Sequence, residues 1–216
     1  MTYEIKRQID LLSPDEQMDI GSYATVQGKK AKDLVDYLAL QESIPTPSTD
    51  HDADYIAKYL HNPMIQRSKI RFSNDAIFLD DLAFPRSISS YTDVHNVPGL
   101  SLDKNVYHHN GNDYFDFDAI QYIQNAGYAV LSKEQWEQAV SVFGGDYRLL
   151  SDILNYPQVG FRQADTIWSA ENNATVLGSS SSDDSLAYVT FLSENVSAGP
   201  AWDAKSAACS LILLQN

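Results

Sequence analysis

Two capped helical segments stand back to back in the middle of this 216-residue chain, and beyond a third short helical stretch only strand-like segments follow them. Asp116 or Asp118 is placed to cap a first helix, whose apolar residues Ala119, Ile120, Tyr122, Ile123 and Ala126 share one face and which ends at Gly127. Ser132 is placed to cap a second helix over residues 133–143, with Gln135 where a capping box needs Glu or Gln. A short helical stretch over 147–154 comes next. Beyond Pro157 the spacing predicts strands at 159–161, 166–169, 186–192 and 209–214, with 178–184, a Gly-Ser-Ser-Ser-Ser-Asp-Asp run, as a flexible hairpin tip. Upstream, from about Arg71, short β-type runs are separated by turns, among them 76–79, 105–108 and 114–117. This order excludes a βαβ alternation and predicts a segregated α+β fold with no internal repeat.

The first part of the chain reads differently. Ser13-Pro14-Asp15-Glu16 opens a short helix that Gly21 ends, and a second from Lys29 carries Ala31, Leu34, Val35, Leu38 and Ala39. Residues 44–49, with two prolines, break it and form the best linker or crossing loop, and a third helix is expected over 52–61. Helices this short with narrow apolar stripes must dock on something, and a partner chain would serve. Residues 1–71 hold nine Lys/Arg and eleven Asp/Glu, whereas 72–216 hold six and eighteen. The predicted organisation is therefore a helical attachment segment over 1–71 and an α+β domain over 72–216.

The net charge of −14 argues against nucleic acid and anionic membranes, which reward clustered Lys/Arg. No apolar run reaches the roughly 20 residues of a membrane-spanning helix, so no membrane insertion is expected. The first seven residues lack the apolar stretch of a secretion signal, from which synthesis in the cytoplasm is expected. The single cysteine, Cys209, lies in an apolar stretch and reads as buried; alone it forms neither an intrachain disulfide nor a cysteine metal site.

The segment Gly127-Tyr128-Ala129-Val130-Leu131-Ser132-Lys133-Glu134-Gln135-Trp136-Glu137 resembles the "G-Y-R-L-P-T-x-x-E-W-E" segment of the C-type-lectin-like superfamily. The likeness is to the branch shared by formylglycine-generating enzymes and Fibrobacter-type major paralogous domains. Ile167-Trp168-Ser169-Ala170-Glu171-Asn172 is similar to that family's "Y-W-S-S-T-E" strand, residues 186–192 to the strand after it, and 205–214 to its closing strand. The set covers roughly residues 105–216. Leu131 stands where the family has proline, Gln135 where it has an acid, and no arginine precedes Cys209. The resemblance implies a C-type-lectin-like domain of two helices packed on small antiparallel sheets, with Trp136 and Trp168 as core anchors. It also implies variable surface loops on a stable scaffold.

A formylglycine-generating activity needs a pair of thiolates for Cu(I), which one cysteine does not supply. The Glu-Pro-Asn, Gln-Pro-Asp and Trp-Asn-Asp motifs of calcium-dependent lectins are absent, Trp202-Asp203-Ala204 being a partial echo of the last. His108, His109, Asp113, Asp116 and Asp118 form the densest polar run; they read as turn, strand and cap around Asn110-Gly111, with a cation site as the alternative. His51, Asp52, Asp54 and His61 read as a helix start and a solvated face. No nucleophile has an adjacent base, so no catalytic residue, metal or cofactor is assigned. The loops at 88–100, 177–185 and 194–202 are the expected variable surface, which assigns Trp202, Asp203, Tyr91, His95, Asp183 and Asp184 as ligand-binding residues. Trp202 reads either as packed or as an exposed platform for a sugar face, and the thirteen tyrosines suit polar contact surfaces.

The expectation drawn from the resemblance is a non-enzymatic bacteriophage structural protein of fibre, tip or decoration type. It would sit in the virion as a homo-oligomer, join other virion proteins through residues 1–45, and bind a host surface glycan or protein. The alternatives are a purely architectural virion protein and, behind it, a formylglycine-generating-type enzyme without its usual cysteine pair.

Overall fold

The structure, a computed structural model, describes residues 44–59, 62, 64–163, 167–169, 174–184, 186–193 and 199–214. The helices expected near residues 13–21 and 29–39 lie outside the described residues.

Among the described residues five α-helices and ten strands form a mixed α+β fold with small antiparallel sheets. The helices are α1 (Asp50–Tyr59), α2 (Tyr91–Val94), α3 (Phe117–Asn125), α4 (Lys133–Ser141) and α5 (Tyr147–Leu154). One three-stranded sheet contains β1 (Ile70–Phe72), β2 (Ala76–Leu79) and β3 (Leu82–Pro85). Two hairpin-sized sheets pair β4 (Val106–His109) with β5 (Asn112–Phe115), and β6 (Phe161–Gln163) with β7 (Ile167–Ser169). A second three-stranded sheet has β9 (Leu186–Leu192) between β8 (Thr175–Ser182) and β10 (Gly199–Ala204).

The caps explain where the central helices begin. The Ala119 amide donates to Asp116 Oδ1 at 2.9 Å and starts α3, which buries Phe117, Ala119, Ile120 and Ile123. Helix α4 opens with the full capping box: the Gln135 amide donates to Ser132 Oγ, and the Ser132 amide to Gln135 Oε1 at 2.8 Å. Trp136 is then carried into the core, where it is fully buried against Phe84 with ring centroids 5.7 Å apart. The carboxylate of Asp146 caps α5, and Asn155 ends it in the left-handed region at φ 48°.

Burial pushes the Asp116 carboxyl up to about 6, and the nearby Asp118 charge adds to this against the pull of the Ala119 amide. A carboxyl raised above its unfolded value of about 4 favours the folded state below that value and loses the contribution as pH rises through 6. Asparagine caps a helix as well as aspartate does but does not titrate. The unfolding free energy of wild type minus that of Asp116→Asn should therefore fall by up to about 3 kcal/mol between pH 4 and 6.5, read by urea denaturation.

Three parts of the sequence reading are corrected. The compact unit begins at Pro45, upstream of the expected boundary at 72, so α1 and β1 belong to the same body as the later elements. The reason is polar as well as apolar. Asp52 is fully buried and meets Arg86 through two contacts of 2.6 and 2.8 Å. The Tyr55 hydroxyl donates to the Leu149 carbonyl at 3.2 Å and ties α1 to α5.

The run expected to be a flexible tip is mostly strand. Residues 178–182 lie in β8, which leaves the turn to Asp183 and Asp184 among the described residues. Ser179 is fully buried with its hydroxyl donating to the Leu131 carbonyl at 2.9 Å, and Ser181 Oγ accepts from the Lys133 amide at the start of α4. Small side chains are required here. A Cβ at Gly178 would lie 2.4 Å from Ile120 Cδ1.

The closing segment is no regular strand either. Ala208, Cys209, Ser210, Leu211 and Leu213 bridge in turn to Arg162, Phe115, Leu177, Ser89 and Val130, so one buried segment stitches five parts of the fold together. Cys209 is buried there, and desolvation pushes its thiol far above the ordinary range.

Candidate functional site

One face of the molecule leaves large side chains in water on a rigid frame. Helix α2 is a single turn started by Ser90, whose amide donates to Asp93 Oδ2 at 2.6 Å. The Tyr91 amide donates to Asp113 Oδ2 at 2.7 Å, and Asp113 Oδ1 meets exposed His108 Nδ1 at 2.8 Å, so the β4–β5 hairpin holds α2 in place. The loop after α2 is stapled by Asn105, which accepts from the Ser101 amide and donates to the Gly99 carbonyl, both at 2.9 Å.

Gly99 has φ +95°, and a Cβ on it would lie 3.1 Å from three atoms of the Tyr122 ring. The ring therefore rests on a position that only glycine leaves open. Tyr122 remains 42% exposed, Tyr128 37% and Leu102, in the stapled loop, 48%. The Tyr128 hydroxyl donates to the Asp93 carbonyl at 3.4 Å. His95 is exposed with Nδ1 at 2.8 Å from the Thr92 carbonyl, so in the neutral ring Nδ1 carries the proton and Nε2 is left as an acceptor. The face thus offers two held tyrosine rings, an imidazole and a leucine, which suits contact with a sugar face or a protein side chain.

The six predicted ligand residues fall in two places. Tyr91, half-buried, and His95 belong to this face. Asp183 and Asp184 are exposed at the β8–β9 turn, where Asp183 Oδ1 accepts from the Leu186 amide at 2.7 Å and the Asp184 carbonyl accepts from Lys205 Nζ at 3.5 Å. Asp203 lies opposite Ala187 in β10 near that turn, and Trp202 opposite Tyr188. Trp202 is thus a strand residue instead of part of a loop; its side chain and that of Trp168 lie outside the described residues, as do 194–198. Tyr122, Tyr128 and Leu102 were not singled out by sequence. Tyr122 sits on the apolar spacing of α3 and reads as core, yet it is exposed, with its ring against the left-handed Gly99.

The polar run from His108 to Asp118 forms the hairpin and cap. Asn110 and Gly111 both have positive φ, 48° and 80°, as a tight two-residue hairpin turn requires. Among the described residues no group of three His, Cys, Asp or Glu side chains is arranged to hold a metal ion.

A second feature had no sequence signal. Tyr55, Ile56, Tyr59, Ile65, Ile70 and Phe72 line an open apolar groove of about 270 Å³, mouth included, beside α1 and β1, and Arg67 contributes to its wall. Arg67-Ser68-Lys69-Ile70-Arg71 alternates like a solvated edge, yet Arg67 is only 8% exposed. No protein-family model, curated protein or solved structure matches the chain.

Proposed function

We propose that this chain is a non-enzymatic binding protein with a C-type-lectin-like domain, a bacteriophage structural component of fibre, tip or decoration type. Residues 1–45 attach it to other virion proteins, and the domain contacts a host surface glycan or protein. The observation that carries the binding role is the tyrosine face: Tyr122 seated on Gly99 and Tyr128 tied to Asp93, both exposed and both held. Preformed aromatic rings bind without first losing rotamer freedom.

The lectin-like reading draws support from two capped helices followed by the β8–β9–β10 sheet and a buried closing segment. The absence of catalysis is proposed on the chemistry of Cys209. A buried thiol whose ionisation is strongly disfavoured is a poor ligand for copper and a poor nucleophile.

The test is binding of the full-length chain, labelled and presented multivalently, to a panel of bacterial cells and extracted surface glycans. Saturable binding is expected, and Tyr122→Ala with Tyr128→Ala should weaken it at least about tenfold, the equivalent of roughly 1.4 kcal/mol, with the melting temperature nearly unchanged. Binding that ignores both substitutions removes the face from the account.

A further inference from the structure

Asn110-Gly111 is the one Asn-Gly pair in the chain, and the turn between β4 and β5 presents both residues to water. The turn consists of these two alone, both with left-handed backbone, and His109 pairs with Asn112 across its base. A bond between Asn110 Cγ and the Gly111 nitrogen would close a five-membered imide. Three features of the turn favour that bond. Glycine puts no side chain in the path of attack. The surroundings are open, since a Cβ at Gly111 would meet nothing within 4 Å. The Asn112 side-chain amide donates to the Asn110 carbonyl at 3.2 Å, which draws electrons out of the 110–111 peptide bond and makes the Gly111 N–H a better acid.

We infer that Asn110 is a site of self-modification, where the side-chain amide is lost as ammonia and the turn is left with aspartate or isoaspartate. The Gly111 nitrogen gives its proton to solvent and bonds to Asn110 Cγ. The bond from Cγ to the side-chain nitrogen breaks, and that nitrogen takes a proton from water and leaves as ammonia. Water then opens the imide. Cleavage at Cγ restores the chain with aspartate, whereas cleavage at the main-chain carbonyl routes the chain through Cβ and Cγ as isoaspartate. One water is consumed and one ammonia released, with no oxidant or reductant.

The two products differ in what they do to the fold. Asp-Gly suits the same turn, so aspartate leaves the hairpin intact and adds one negative charge. Isoaspartate makes the main chain one atom longer in a loop whose length sets the register. The pairs nearest the turn, His109 with Asn112 and His108 with Asp113, are then the first to open. Asp113 accepts from the Tyr91 amide at 2.7 Å and meets His108 at 2.8 Å, so isoaspartate frees the start of α2. The modification stands apart from the binding role of the tyrosine face and is read without a ligand.

The test is to hold the full chain at pH 8 and 37 °C for several weeks and map its peptides by mass spectrometry. Residue 110 is expected to gain about 1 Da before any other asparagine and to yield both products, the isoaspartyl one marked by an isoaspartyl methyltransferase. Asn110→Gly keeps a turn-forming pair without a side-chain amide, so it should fold with nearly the same melting temperature and stay unchanged at this position. In hydrogen exchange, a share of the aged chains equal to the isoaspartyl share should exchange the Tyr91 amide at least about tenfold faster. Fresh Asn110→Asp should match fresh wild type within about threefold. The proposal is overturned if residue 110 keeps its amide over a time in which an unfolded peptide of residues 106–115 loses it, if other asparagines convert first, or if the aged chains exchange the Tyr91 amide no faster.

Discussion

Replacing Asp52 by alanine is expected to cost about 3–5 kcal/mol of unfolding free energy, because it strips the partner from a largely buried guanidinium. Asp52 is fully buried, and the Arg86 side chain is 21% exposed. The same carboxylate accepts from the Ser48 and Thr49 amides, both at 3.0 Å, and so also holds the entry to α1. One substitution thus removes an ion pair and a helix start together. Arg86 keeps the Ser73 carbonyl and Ser48 hydroxyl, which argues for the lower part of the range. Burial alone would raise the Asp52 carboxyl, but Arg86 and Ser48 outweigh it and hold it at about 2. A carboxyl depressed in the folded state contributes stability that is present above its unfolded value of about 4 and is lost as pH falls toward 2. The difference between wild type and Asp52→Ala in urea denaturation should therefore shrink between pH 5 and pH 2. A loss below 1 kcal/mol at pH 7 would mean that the pair is not buried.

Trp136→Ala should cost a similar amount, about 3–5 kcal/mol, through lost burial and the cavity left behind. Trp136 is fully buried among Phe84, Leu131, Val140 and Tyr188 in the largest apolar cluster. Its indole Nε1 is buried without a hydrogen-bond partner among the described residues. Phenylalanine removes that orphan donor while keeping most of the ring, so Trp136→Phe should lose no more than about 2 kcal/mol. A loss for Trp136→Phe as large as that for alanine would show that the indole N–H is paired. Thermal unfolding of the two variants beside wild type makes the comparison.

How much of this was legible in the sequence depends on how local its cause is. The Ser132–Gln135 box, the Asp116 cap and the helix at 147–154 are set by residues three or four apart, and the structure has them where the spacing put them. Buried Cys209 follows from its apolar neighbours in sequence, whereas Trp136, flanked by Gln135 and Glu137, is expected in the core only from the resemblance. The Gly-Ser run at 178–182 looks like a loop by composition, but its strand is imposed from outside: the Ile120 side chain leaves no room for a Cβ at Gly178, and the Leu131 carbonyl takes the hydroxyl of buried Ser179. The closing segment was read as a strand because its residues alternate like one, although each bridges a different neighbour. The boundary at 71 came from a charge contrast, which describes surfaces and is blind to the Asp52–Arg86 pair across it. Tyr122 and Arg67 escaped for one reason. Exposure of an apolar residue and burial of a charged one run against what composition leads one to expect, and only the tertiary structure exposes the conflict.

The role given to the tyrosine face is decided by a saturation titration of four full-length chains on whichever bacterial cell or glycan binds wild type best. These are wild type, Tyr122→Ala/Tyr128→Ala, Asp183→Ala/Asp184→Ala, and Gly99→Val, whose side chain would collide with the Tyr122 ring. The tyrosine pair and Gly99→Val should each weaken binding at least about tenfold while the aspartate pair changes it less than about threefold, all four remaining folded. Loss confined to the aspartate pair would move the binding surface to the β8–β9 turn, and the tyrosine face would then have no part in it.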